Sequence, residues 1–103
     1  MSELLSADLI DQYKQDGAVL IKGKFDRDWI EKLRKGISKD IKNPSPRFVR
    51  HTKDDNAPGY YEDFWTWDLF DEFKDFVYKS PTSKLASELM NAEQVNLVMD
   101  NWF

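Results

Sequence analysis

The chain has no cysteine and only one histidine, His51. Without cysteine there is no disulfide framework and no thiolate metal site. A single histidine cannot build a His-x-x-x-His zinc pair or a two-histidine iron site within one chain. Long apolar runs are also missing. The longest, residues 18–21, falls far below the roughly 20 residues of a membrane-spanning helix, so no membrane partner is expected. The four glycines are scattered as single turn or cap residues, which excludes a phosphate-binding glycine loop. Positive charge is in deficit: the formal net charge of -4 argues against a nucleic-acid surface, which needs clustered cations. Residues 1–8 carry neither a basic n-region nor a long apolar h-region, so no secretory signal is read there and cytoplasmic residence is expected.

What the chain has in abundance is aromatic surface, concentrated between Tyr60 and Tyr78. Each large ring buries roughly 150–250 Å² when packed, so a run of this kind organises a core or walls a pocket. Its second half places Leu69, Phe70, Phe73, Phe76 and Val77 on one helical face, with Asp68, Asp71, Glu72, Lys74 and Asp75 opposite. The spacing predicts an amphipathic helix over 67–79, capped by Thr66, with its carboxylates turned to solvent as a solubilising face. Tyr60 to Trp65 are the ring-bearing residues left over as pocket walls.

Around this stretch the 103 residues, 41% hydrophobic and 33% charged, read as a single α+β domain spanning 1–103. Ser6 caps a first helix over 6–16 that Gly17 ends. Residues 18–22 read as a short buried strand, and Asp26 caps a second helix over 26–41 with Trp29, Ile30, Leu33, Ile37 and Ile41 on one face. Gly36 sits inside that helix at a cost of roughly 1 kcal/mol relative to Ala, which a close neighbouring backbone would explain. Ser80-Pro81 starts a further helix over 81–91, and 94–102 reads as a strand rich in β-favouring side chains.

Between these elements, 42–60 is punctuated by Pro44, Pro46, Pro58 and Gly59 and is expected to be irregular. Arg47, Arg50, His51 and Lys53 make it locally basic: either a solvated loop or a place where arginine forks take an anion. His51, Asp54 and Asp55 lie there with no third strong metal ligand fixed beside them. Ser45 and Thr52 are close to His51 in sequence, but no strand-turn-helix elbow presents either as a nucleophile. The residues themselves therefore define a domain and no reaction.

The order of the pieces carries a resemblance. Leu9-Ile10 to Tyr13, then residues 16–23 as Asp-Gly, four apolar residues, Lys and Gly, then Ile30 to Leu33-Arg34, resemble the opening of the phytanoyl-CoA dioxygenase-like family. Trp67, Glu72-Phe73, Phe76, Ser80-Pro81, Leu85, Leu89-Met90 and the stretch from Val95 to Phe103 continue in family order, covering nearly the whole chain. The resemblance implies the mainly helical N-terminal part of a double-stranded β-helix (jelly-roll) oxygenase, with its first short strands. Such enzymes oxidise small molecules with Fe(II), 2-oxoglutarate and O₂, holding the metal with a His-x-Asp pair and a distant histidine.

This chain lacks those ligands and the arginine that grips 2-oxoglutarate, so it is expected to hold no cofactor and to be inert alone. A free-standing binding module is the alternative. An apolar Trp102-Phe103 pair in mid-strand favours the fragment. The resemblance implies that the final strand lines the cavity with alternate residues. On that basis Met99 and Asn101 are expected to face 2-oxoglutarate, with Tyr61, Phe64 and Phe103 facing the small-molecule substrate. Asp100 falls on the other side, so replacing Asn101 is expected to weaken binding more. Val98, Met99, Trp102 and Phe103 on an unprotected edge are expected to pair two copies into a homo-oligomer.

Overall fold

The computed structural model describes residues 3–103. Among them the order is α1 (Ala7–Asp16), α2 (Arg27–Lys42), β1 (Val49–Arg50), β2 (Tyr61–Phe64), α3 (Asp71–Lys79), α4 (Thr82–Met90) and β3 (Asn101–Trp102). The strands form one antiparallel sheet in the order β1-β2-β3. The chain is thus a mixture of helices and a small sheet.

Helix ends follow local chemistry. Ser6 Oγ accepts from the Leu9 N–H, and Gly17 closes α1 at φ 76, donating to the Tyr13 carbonyl. Asp26 accepts from the Trp29 N–H at 3.0 Å to start α2. Before α4 the Ser80 hydroxyl still takes the Thr82 N–H, with Pro81 between them, and Asn91 ends the helix at φ 51.

The aromatic helix departs from expectation. It begins at Asp71, and Thr66 is not its cap. The Asp100 carboxylate takes the Thr66 and Trp67 N–H groups and the Thr66 hydroxyl, which holds residues 66–69 in a separate turn. Phe70 then occupies the cap position without a side-chain bond, and Asp71 and Glu72 face the helix dipole instead.

Nor do all the acids of α3 face water. Glu72 is buried against α2, where Lys39 pairs with it, and Asp75 pairs with Lys32 and Lys79. Burial works against the charge of Glu72, but the Lys39 bond, a backbone N–H and the charges of Lys39 and Lys35 together outweigh it and hold the carboxyl below its ordinary value. The reason lies on the facing helix, whose lysines convert an exposed acidic face into an interhelical seam. Gly36 is required by the same contact. A Cβ there would lie 2.7 Å from Phe73 Cε1, so a ring, rather than a backbone, occupies the space.

Strand expectations are corrected in both directions. Residues 18–22 form no ladder, and Leu20 is exposed. Of 94–102 only the last two residues pair. β-favouring side chains make a strand only beside a partner, and none of the described strands lies alongside residues 18–22 or 94–99. Conversely, the segment expected to be irregular supplies β1, paired as Val49 with Glu62 and Arg50 with Tyr61. His51 N–H to the Tyr60 carbonyl prolongs that ladder, and Trp65 N–H to the Asp100 carbonyl prolongs the next.

The sheet has one covered and one bare face. Tyr61, Asp63 and Trp102 turn towards α2: Trp102 Nε1 donates to Asp40 at 2.8 Å, and Phe48 packs against Tyr61 and Trp102. Val49, Glu62, Phe64 and Asn101 alternate to the other side, where no helix packs. Among the described residues only Leu5, Phe73 and Leu85 are fully buried apolar side chains. A radius of gyration of 16.2 Å, against roughly 13 Å for a closed domain of this size, agrees that the apolar surface is not closed on itself.

Candidate functional site

The bare sheet face is the candidate site. Across it runs a row of hydrogen bonds: His51 Nε2 lies 2.8 Å from Glu62 Oε2, and Asn101 Nδ2 donates to Glu62 Oε1 at 3.2 Å. His51 and Asn101 together hold the Glu62 carboxyl below its ordinary value, keeping it ionised. The Tyr60 ring lies 5.2 Å from the His51 ring, and the Arg47 guanidinium lies 5.9 Å from the Phe64 ring centroid. The row thus combines an amide, a carboxylate and an imidazole, flanked by Phe64 and Val49. It has the make-up of a ligand wall: apolar contact area with a few placed polar groups.

Of the residues singled out from sequence, Phe64 and Asn101 are direct cross-strand partners. Met99 and Phe103 lie outside β3, and both are exposed. Tyr61 lies on the covered face, stacked on Phe48 at 5.7 Å. Asp100, expected on the other side of the strand from Asn101, holds the Thr66 turn. His51 and Glu62 were not paired by sequence reasoning. They meet only through the β1·β2 register, and no local spacing announces it.

Beneath the sheet a second unanticipated cluster joins Asp40 of α2 to Asp63 of β2, both inaccessible to solvent. Ser45 Oγ donates to Asp63 at 2.6 Å, and Trp102 Nε1 occupies one oxygen of Asp40, whose Oδ1 finds no other donor among the described residues. Burial, then the hydrogen bond to Asp63, pushes Asp40 up to about 6. Burial also opposes the charge of Asp63, but bonds from Ser45, from Asp40 and from the Phe64 N–H outweigh it and hold Asp63 low. One proton shared between the two carboxyls would satisfy the orphaned oxygen.

The donor set does not fit iron. Among the described residues no group of three or more His, Asp or Glu side chains is placed to hold a metal ion, and the lone His51 is committed to Glu62. No helix among the described residues is long and apolar enough to cross a membrane. In comparison with known proteins, no family model, no curated protein and no solved structure matches the chain.

Proposed function

We propose that this chain is the N-terminal portion of an Fe(II)/2-oxoglutarate-dependent oxygenase resembling the phytanoyl-CoA dioxygenase-like family, and that the bare sheet face is one wall of its small-molecule cavity. The observation that carries the reading is the sidedness of the sheet. One face is tied to α2 through Trp102 and Asp40, while the other presents Asn101, Phe64 and a hydrogen-bonded His51–Glu62 pair with no helix against them. The small buried core supports it, since a jelly-roll completed by further strands would cover the remaining apolar surface. Iron and 2-oxoglutarate would be held by residues outside these 103, with Met99 and Asn101 contributing wall contacts. The coding sequence downstream of Phe103 is expected to continue in frame into a His-x-Asp, and the 103-residue chain is expected to form no succinate from 2-oxoglutarate. A stop codon there in genomic context, or turnover by the isolated chain, overturns the reading and leaves a free-standing binding module.

The same uncovered surface gives the isolated chain a reason to self-associate. β3 is an edge strand, and Val98 and Phe103 beside it are 89% and 80% exposed. Twofold pairing of this edge in two copies would cover both. Sedimentation equilibrium is expected to show a dimer that Trp102→Lys dissociates while remaining folded by circular dichroism; a monomer mass at high concentration counts against the pairing.

A further inference from the structure

Arg47 is fixed in an unusual way for a cation. Its Nε and Nη2 donate to the carbonyls of Phe64 and Trp65, both at 2.8 Å. Its guanidinium lies about 6 Å from the ring centroids of the same two residues. No carboxylate among the described residues forms an ion pair with it. The carbonyl bonds leave the Nη1 amino group and one Nη2 hydrogen for another acceptor. A charged fork whose plane is set by backbone and rings is pre-organised for a planar anion, because little freedom remains to be lost on binding.

The fork lines an open groove of about 430 Å³ together with Trp65, Trp67, Asp68, Leu69 and Val98. That volume lies within the roughly 300–1,000 Å³ range of small-molecule sites. Trp65 stands at φ 53, a left-handed conformation that a bulky residue rarely adopts. The flanking backbone bonds hold it there with its ring half-exposed, and strain of this kind concentrates at ligand sites. Trp67 is fixed by its own N–H to Asp100 and by an edge contact with Tyr78.

We propose that this groove binds a small aromatic or branched-apolar monocarboxylate, its carboxylate on Arg47 and its body against Trp65 and Trp67. One arginine balances one negative charge. Asp68 on the same wall disfavours a doubly charged phosphate, which would bring like charges together in a groove with a single cation. This inference does not rest on the oxygenase reading, and its test involves neither iron nor 2-oxoglutarate.

The full chain is titrated with 3-phenylpropanoate, neutral 3-phenylpropanamide and cationic 3-phenylpropylamine. Tryptophan fluorescence and ligand-observed saturation-transfer NMR follow binding at concentrations where sedimentation shows the chain to be monomeric. The acid is expected to bind about tenfold more tightly than the amide, the effect of a charge-assisted fork. Arg47→Met is expected to erase that difference while leaving the amide unchanged. Because Arg47 also ties two carbonyls, Val98→Glu provides a second variant at an exposed position on the groove's lip, and it is expected to weaken the acid selectively. Equal affinities for acid and amide, tighter binding of the amine, no saturable binding of the acid, or an acid preference that survives Val98→Glu and a folded Arg47→Met would each overturn the proposal.

Discussion

Asp40→Asn is expected to stabilise the fold by on the order of 2–3 kcal/mol at pH 8 and to change it little at pH 4. The carboxyl of Asp40 is raised from an ordinary 3.8 to about 6 by burial and by Asp63 beside it. In the folded chain it therefore holds a proton that the unfolded chain has already released. Its contribution is fully present below the unfolded value and is lost as pH rises through about 6. Asp63 acts in the opposite sense: its lowered value adds stability above the ordinary carboxylate range, which is lost on acidification. The groups facing the pair are Ser45, which donates to Asp63, and Trp102, which donates to Asp40. Asparagine keeps the shape: its oxygen can accept from Trp102, while its amide donates to Asp63 as the shared proton did. Urea unfolding followed by tryptophan fluorescence from pH 4 to 8 is expected to show the parent losing stability between about pH 4 and 6 relative to the variant, with little further change above. Parallel pH profiles for the two proteins would sink the shared-proton assignment.

The parts of this fold legible in sequence are those whose signals are local. Ser6, Gly17, Asp26 and Asn91 act through hydrogen bonds to residues within one turn, so α1, α2 and α4 were placed to within a residue or two. Strands depend on distant partners. Residues 18–21 have the right side chains and no neighbour, whereas Val49–Arg50, in a stretch crowded with prolines, has Tyr61 and Glu62 across from it. The burial of Glu72 was illegible for a related reason. Helical periodicity gives the face of a residue, but only the facing Lys39 reveals whether that face meets water. At the site, Asn101 bonds to Glu62 while Asp100 turns to Thr66. The pairs His51–Glu62 and Asp40–Asp63 carry no spacing signature, because register and helix packing bring them together.

Asp100→Ala is expected to cost about 2–4 kcal/mol, and Asn101→Ala next to it within about 0.5 kcal/mol of nothing. The Asp100 carboxylate accepts from the Thr66 hydroxyl at 2.9 Å and from the Thr66 and Trp67 N–H groups at 3.2 and 3.3 Å. Thr66 is wholly buried, so removing the carboxylate leaves donors that water reaches poorly. Asn101 has an exposed bond to Glu62, for which water substitutes readily. Asp100→Asn retains the volume but turns one acceptor into a donor facing N–H groups, so it should fall between the two. Asp100→Ala should also release the turn that places Trp65 and Trp67, shifting their fluorescence before global unfolding. Any comparison of ligand binding between Asn101 and Asp100 variants therefore has to be made per folded molecule, since the Asp100 variant loses its binding surface along with its stability. Equal unfolding midpoints for Asp100→Ala and Asn101→Ala would show that the Thr66 turn does not depend on this carboxylate.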